Sequence, residues 1–274
     1  MLQSKIIWPS FPLRPYIHHY WIMRAWGNSM EMNIMPMGNM KWMFHRGTPF
    51  HINGIFDPRN VASICGQYNS AVQVGMYDDC NIIYVFFHPY AMKMITGIPC
   101  HLFEDKNISL DDLGIPAFQL LKRMVLDAES DEKAIAYIED FIIRQLAYRD
   151  RDSHLKQLMF VCDEINKHSF ATLNQLADKA CLSERQLRRV FLDNVGLSPK
   201  LMLRTRRCLQ ASKMIQDMKT KDFTQLTFEL GFTDHSHMYK EFKQFAGMSP
   251  SEYFDHVNEI RRHHLIKGYK AYHG

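Results

Sequence analysis

The sequence predicts an α+β fold with a β-rich N-terminal half and an all-α C-terminal half. Three observations predict it. The first 105 residues are short apolar stretches separated by Gly, Pro and Asn, whereas later apolar residues recur at helical spacing. The third is a near repeat, because FLDNVGLSPK at Phe191 returns as FKQFAGMSPS at Phe242.

Short strands alternating with turn residues predict a small sandwich or barrel in the N-terminal half. Residues 81–88 (NIIYVFFH) are the strongest predicted strand, since they are rich in β-branched and aromatic side chains and are stopped by Pro89. Two helical segments follow. One of them carries an apolar stripe, which predicts either core packing or a dimer seam: Ala134, Ile135, Ile138, Phe141, Ile142 and Leu146.

The polar, charged segment YRDRDSH begins at Tyr148 and predicts the domain boundary. We therefore expect an effector-sensing or dimerisation domain over residues 1–148, a linker over residues 149–154 and a second domain over residues 155–274. About seven helices are expected in the second domain. Their N-terminal caps are indicated by Thr172 with Gln175, Ser183 with Gln186, Ser198 before Pro199, and Ser249 before Pro250.

The repeat covers two segments, residues 176–199 (the first unit) and residues 226–250 (the second unit). Each predicts a short helix, a tight turn and a second helix, with one extra residue in the second unit, which is the layout of a helix-turn-helix. Apolar residues four apart predict the buried face of each second helix: Leu187 and Phe191, then Met238 and Phe242. The residues between them are left to face DNA bases and phosphates: Arg185, Gln186, Arg188, Arg189, His235, Ser236, Tyr239 and Lys240.

The helix predicted between the units runs from about residue 199 to residue 218, roughly 30 Å at about 1.5 Å per residue. Successive major grooves on one face of a duplex recur about 34 Å apart. One rigid helix could therefore place two readers about one turn apart.

The charge distribution favours a polyanionic partner for the C-terminal half. Residues 1–150 hold 13 Lys and Arg against 15 Asp and Glu, whereas residues 151–274 hold 20 against 14. Nine basic residues and only Glu184 and Asp193 lie between Lys179 and Lys213.

Other functional classes find little support in the sequence. Without a long apolar run or a signal peptide, and with six scattered cysteines, we expect a cytoplasmic protein with reduced thiols and no membrane contact. The sequence contains no catalytic or cofactor-binding motif, so we expect neither an enzyme nor a cofactor. The histidines of the N-terminal half lack the spacing of a metal site. Five aromatic residues are candidates for the lining of an effector pocket: Trp21, Trp42, Phe44, Tyr84 and Phe86.

The second unit carries the segment ELGFTDHSHMYKEFKQFAGMSPSEY, and residues 155–258 resemble the DNA-binding domain of AraC/XylS-type bacterial transcription regulators. The resemblance implies two helix-turn-helix units that bind double-stranded promoter DNA, with contact to RNA polymerase and a homodimer as further expectations. The family's base-facing positions fall on Arg185, Arg188 and Arg189 in the first unit. In the second unit they fall on His235, Ser236, Tyr239 and Lys240. Three residues depart from the family pattern: Thr227 where Ala is usual, Cys181 where Gly is frequent, and Met202 where an aromatic residue is usual.

Segments such as PLRPYIHHYWIM and FFHPYAMKMITGIP resemble a sensor domain found on some of these regulators. That resemblance implies a β-rich domain of jelly-roll character, and we expect it to sense a small-molecule effector. Two alternatives stay open: a ligand-independent regulator whose N-terminal half binds a protein partner, and a DNA-repair enzyme that holds zinc on Cys65, Cys80 and Cys100.

Overall fold

The computed structural model describes residues 2–27, 29–148, 154–168 and 171–262. Ten strands lie in the N-terminal half of this described chain: β1 Leu2–Ile7, β2 Ile17–Ala25, β3 Met30–Ile34, β4 Lys41–His45, β5 His51–Ile52, β6 Ile55–Phe56, β7 Ala62–Cys65, β8 Val72–Met76, β9 Cys80–Phe87 and β10 Asn107–Ser109. The described chain also contains ten α-helices, of which the first precedes β10 and the others follow it: α1 Ala91–Thr96, α2 Pro116–Leu126, α3 Asp131–Tyr148, α4 Leu155–Lys167, α5 Leu173–Lys179, α6 Glu184–Val195, α7 Pro199–Asp217, α8 Thr224–Glu229, α9 His235–Ala246 and α10 Pro250–Arg262. Short 3₁₀ helices span Phe11–Leu13 and Cys100–Phe103.

The strands form two antiparallel sheets. The larger sheet has the order β1-β2-β9-β4-β7-β10, and the smaller has the order β3-β8-β5-β6. The sheets pack face to face through an apolar layer that is rich in methionine and draws side chains from both, including Met23 and Met43 from the larger sheet and Met76 from the smaller. The α+β class predicted from the sequence is confirmed, and of the predicted sandwich or barrel the N-terminal half forms a sandwich of two sheets.

The opposite face of the larger sheet is covered by α1, α2 and α3. Trp42 lies at the centre of this layer, with its ring 5.7 Å from that of Phe118 on α2 and 6.0 Å from that of Phe141 on α3. The predicted stripe of α3 packs into this same core. Of the two interpretations that the stripe allowed, the fold therefore selects core packing.

The five aromatic residues predicted to line a pocket do not share one face of the sheet. Trp42 pairs with Val85 in the register between β4 and β9, so it shares a face with Val85 and not with Tyr84 or Phe86. Trp42 and Phe44 consequently lie in the helix-covered core, fully buried. Trp21, Tyr84 and Phe86 belong to the layer between the sheets, where the Trp21 and Tyr84 rings stack with centroids 5.1 Å apart. A single pocket lined by all five is therefore wrong, and only the second group remains as a candidate.

Seven helices, α4 to α10, make up the described C-terminal part, as predicted. Helix α3 ends at Tyr148 and α4 begins at Leu155. The predicted linker over residues 149–154 lies outside the described residues except for its last residue, His154, and the domain boundaries stay a prediction. The basic C-terminal tail beyond residue 262 also lies outside them.

Both helix-turn-helix units contact the β-rich part of the chain. Tyr90, which precedes α1, packs into the apolar core of the first unit. Met35, which follows β3, packs against the core of the second unit. Both units therefore pack against the same β-rich part of the chain.

Within the described residues, no helix is both long enough and apolar enough to cross a bilayer. In the same residues, no group of three or more His, Cys, Asp or Glu side chains is arranged to hold a metal ion. The six cysteines are free thiols; five are buried, and Cys181 is exposed.

Candidate DNA-binding surface

The turns of the two units are built by the same backbone hydrogen bonds. In the first unit, the Leu182 amide donates to the Ala177 carbonyl at 3.0 Å. In the second, the Phe232 amide donates to the Thr227 carbonyl at the same distance. The repeat is therefore a repeat of local geometry as well as of sequence.

The sequence offset between equivalent residues of the two units changes inside the turn. The turn bonds match at an offset of 50 residues, but the helix caps that follow, Ser183 and Asp234, match at an offset of 51. The extra residue of the second unit is therefore Thr233, which lies between Phe232 and the cap. Because the insertion precedes the cap, it leaves the helix α9 itself uninterrupted.

The cap of α6 is the capping box that the sequence predicts. The Ser183 hydroxyl accepts from the Gln186 amide at 3.2 Å, and the Gln186 side-chain oxygen accepts from the Ser183 amide at 2.9 Å. The side-chain oxygen of Gln186 is thus engaged with its own helix end. Only its amino group is left to form a further hydrogen bond. The predicted contact of Gln186 with DNA is therefore limited to donation from this group.

Three arginines project from the exposed face of α6. They line a shallow, open concavity together with two residues of the same helix: Glu184, Arg185, Arg188, Arg189 and Leu192. Arg188 Nη2 lies 3.1 Å from Glu184 Oε2 in an exposed pair one helical turn apart. Exposed pairs of this kind contribute little to stability, so Arg188 can exchange Glu184 for a phosphate at small cost. Among the described residues, none forms a side-chain hydrogen bond or ion pair with Arg185 or Arg189.

The second unit presents a more mixed set. His235, Ser236 and Lys240 are exposed on α9. Tyr239 is half-buried, with its ring edge-on to Phe223 at 6.1 Å, so packing orients the phenol. His235 Nδ1 lies 3.5 Å from the hydroxyl of Thr227 on α8.

The inward faces of α6 and α9 carry the predicted apolar anchors. The four anchors are all buried: Leu187, Phe191, Met238 and Phe242. Glu241 is buried beside them and pairs with Arg204 of α7 at 2.6 Å. Apolar burial and this ion pair together hold the helices so that their N-terminal halves face outward.

Two departures from the family pattern have local consequences. Thr227 is fully buried, and its hydroxyl donates to the Phe223 carbonyl at 2.9 Å, so the additional oxygen is satisfied within α8. Cys181 has φ +54°, in the left-handed region where its counterpart Gly231 has φ +67°. The first unit therefore makes the same turn with a β-carbon that this region disfavours.

The basic run between residues 179 and 213 does not all face solvent. Arg204 pairs with Glu241, and the Arg207 guanidinium lies 5.2 Å from the centroid of the Phe232 ring. Arg206 approaches the turn at Gly38 in the β-rich part, and burial lowers its pKa. A charge count from the sequence cannot separate such packing arginines from those available to DNA.

Comparison with known proteins places two domains on the chain. Residues 176–256 match a helix-turn-helix domain family (HTH_18), and residues 5–109 match a domain of unknown function (DUF6597). The transcriptional regulatory protein HptR of Staphylococcus aureus is 24% identical over 180 residues, which is 64% of this chain and 69% of HptR. An uncharacterized HTH-type transcriptional regulator of Haemophilus influenzae is 30% identical over 81 residues, which is 30% of this chain and 27% of that protein.

Among solved structures, ToxT from Vibrio cholerae matches 93% of this chain and 98% of its own, with 10% identity and a TM-score of 0.43. The helix-turn-helix match spans both units, with the long helix α7 between them and the second unit's signature at its end. The C-terminal part of the chain therefore carries a helix-turn-helix domain of the AraC type over residues 176–256.

Proposed function

We propose that the chain binds promoter DNA with α6 and α9 in successive major grooves. The observation that carries this proposal is the exposure of the N-terminal halves of both helices, joined by the single helix α7. Helix α7 has 19 residues, which gives a length of roughly 29 Å at about 1.5 Å per residue. That length is close to the spacing of about 34 Å between successive major grooves on one face of a duplex.

The chemistry of the two exposed faces differs. Arg185, Arg188 and Arg189 suit bidentate bonds to guanine and ion pairs with phosphate. His235 and Ser236, with Tyr239, offer smaller donors and acceptors that suit bases or the sugar-phosphate backbone. Unequal faces support an asymmetric operator with two different half-sites, the first unit supplying most of the affinity.

The N-terminal half is proposed to sense a small, largely apolar molecule in the layer between the two sheets. Trp21 and Tyr84 lie in this layer with several methionines, whose flexible side chains can repack around a guest. Screening the full chain by thermal shift tests this part. A compound that raises the melting temperature of the full chain, but not that of a Trp21→Ala variant, is the expected result.

Contact with RNA polymerase, formation of a homodimer and a cytoplasmic location belong to the same proposal. Sedimentation of the full chain, free and with DNA, tests the dimer directly. A two-hybrid measurement against RNA polymerase subunits tests the contact with RNA polymerase.

The proposed DNA binding is tested by measuring how the affinity for DNA depends on salt concentration. Genomic fragments captured by the full chain would first be identified, and the recovered site would then be titrated with protein from low to physiological ionic strength. Because phosphate contacts release condensed counterions, we expect affinity to fall steeply as salt rises. Binding that is independent of salt would contradict the proposal.

A further inference from the structure

One short segment of the β-rich part contacts both helix-turn-helix units. It comprises residues 67–71 between β7 and β8, and we call it the strap. On the first unit, the Gln67 side-chain amide donates to the Val195 carbonyl at 3.3 Å. On the second unit, the Ala71 amide donates to the Gln244 carbonyl at 3.2 Å, and the Gln244 side chain donates to the Asn69 carbonyl at 3.1 Å.

The contacted residues occupy the same place in each unit. Val195 is the last residue of α6, and Gln244 lies in the last turn of α9. The residues proposed to meet DNA lie at the opposite, N-terminal ends of these helices. The strap therefore holds the two recognition helices by the ends that face away from DNA.

The glycines that end the two helices show how closely the β-rich part approaches both helix ends. Gly196 and Gly247 are left-handed C-caps with φ +86° and +75°. A β-carbon on Gly196 would lie 2.9 Å from the Cys100 carbonyl oxygen, and one on Gly247 would lie 3.2 Å from the Ala71 β-carbon. Each glycine thus adopts the left-handed conformation that ends its helix. Because it has no β-carbon, it also leaves room for the β-rich part to approach.

The strap is firmly attached at its base. Asn69 donates from its backbone amide to Asp105 at 2.8 Å and from its side chain to Glu104 at 2.8 Å. Tyr68 packs against the apolar layer between the sheets. A segment fixed in this way can transmit the position of one unit to the other without relying on α7 alone.

A second contact supports the hold on the first unit. Lys93 of α1 forms an ion pair with Asp193 near the C-terminal end of α6. On the second unit, Arg204 donates to the Gln244 side-chain oxygen at 2.9 Å and so orients the amide that reaches the strap. Gln244 is therefore the residue that connects α7, α9 and the strap.

We propose that the strap fixes the relative placement of the two recognition helices and thereby determines which spacing of half-sites the protein accepts. This inference rests on the proposed binding of DNA by both helices. It adds a specificity-determining role for Gln67 and Gln244, neither of which faces DNA.

The first measurement needs no DNA. Spin labels on the native exposed Cys181 and on a Thr233→Cys variant report the distance between the two turns in the full chain, because the other five cysteines are buried. We expect one narrow distribution in the parent, and a clearly broader one after Gln67→Ala combined with Gln244→Ala. The exposed Gln119→Ala variant is the matched control and should leave the distribution narrow.

The second measurement uses the captured DNA site with its half-sites moved apart by about 5 base pairs, half a helical turn. On the altered site, the parent should lose affinity by about tenfold or more. The double variant should also lose affinity, but its fold-loss should be about three times smaller than that of the parent. Because Gln244 is exposed, its single replacement should keep the melting temperature and serves as a variant that folds.

An unchanged distance distribution in the double variant would overturn the proposal, as would full discrimination between the two spacings. If the parent bound no DNA, the proposed function would fail, but the distance measurement would still decide whether the strap positions the two units.

Discussion

Arg204 of α7 donates from Nε to Glu241 of α9 at 2.6 Å, and this contact joins the helix between the two units to the second helix of the second unit. The Glu241 side chain is only 9% exposed, whereas that of Arg204 is 30% exposed. His237 lies 3.4 Å from the same carboxylate oxygen. The pair therefore fixes the direction of α9 at a point where the carboxylate has little access to water.

Arg204→Met is expected to lower the free energy of unfolding by about 2–4 kcal/mol, because it leaves a buried carboxylate without its main partner. Glu241→Met should also destabilise the protein. The double variant should cost less than the sum of the two, since an apolar pair replaces the ion pair. Urea denaturation of the four proteins measures the coupling, and strictly additive losses would show that the pair does not act as a unit.

Arg185→Ala and Arg189→Ala should each weaken binding to the captured DNA by about 1–3 kcal/mol and lower the salt slope by about 1. The reason is the loss of a charged donor at the exposed face of α6. The matched control is Arg144→Ala, an exposed arginine of α3 that pairs with Asp140 away from this surface. Normal binding by both α6 variants, together with loss of binding in Lys240→Ala, would reverse the proposed ranking of the two units.

Cys181→Gly should raise the free energy of unfolding by up to about 1 kcal/mol. Cys181 has φ +54°, where a β-carbon costs about 1–2 kcal/mol, and glycine returns part of that gain as unfolded-chain entropy. Cys181→Ala keeps the β-carbon and is the control, so it should give no gain. If alanine stabilised the protein as much as glycine, the thiol and not the backbone would be responsible.

Signals that act over a few residues could be predicted from the sequence. The Ser183 cap, the buried anchors Leu187 and Phe191, and the turn at Cys181 between α5 and α6 all depend on neighbours within a single helix-turn-helix. The β-branched and aromatic composition also predicted the strand at residues 81–88, which the structure places at Cys80–Phe87.

Features that depend on strand register or on distant residues could not be predicted. Alternation along a strand separates its two faces, but it does not show which face of one strand matches which face of the next. Only the pairing of Trp42 with Val85 shows that Trp42 and Tyr84 lie on opposite faces of the sheet. Gln67 and Val195 are 128 residues apart, and no local pattern marks either one as an interface residue. The strap could therefore be found only from the folded chain.

Trp42→Ala should lower the free energy of unfolding by about 3–5 kcal/mol, because the indole is fully buried and contacts rings from α2 and α3. Trp21→Ala should cost less, since Trp21 is half-buried between the sheets. Denaturation of both variants measures the difference. Equal losses would contradict the assignment of the two tryptophans to different layers.

Stability should also fall in mild acid because of buried histidines in the β-rich part. Burial lowers the pKa of His45 to about 3, and burial with the neighbouring His18 lowers that of His19 to about 4. In the unfolded chain both should titrate near 6.5. Between these values the unfolded chain binds protons that the folded chain excludes, so this stability is complete above pH 6.5 and is lost as the pH falls towards 4.

His45→Leu should reduce this acid loss by about 1.4 kcal/mol for each pH unit below 6.5, the contribution of one excluded proton. His101→Leu is the control, because His101 is exposed on the same part of the chain. Urea unfolding at several pH values between 7.5 and 4.5 compares the slopes, and carboxylates that also titrate contribute equally to all three proteins. A slope in His45→Leu equal to that of the parent would mean that His45 takes up its proton without unfolding the sheet.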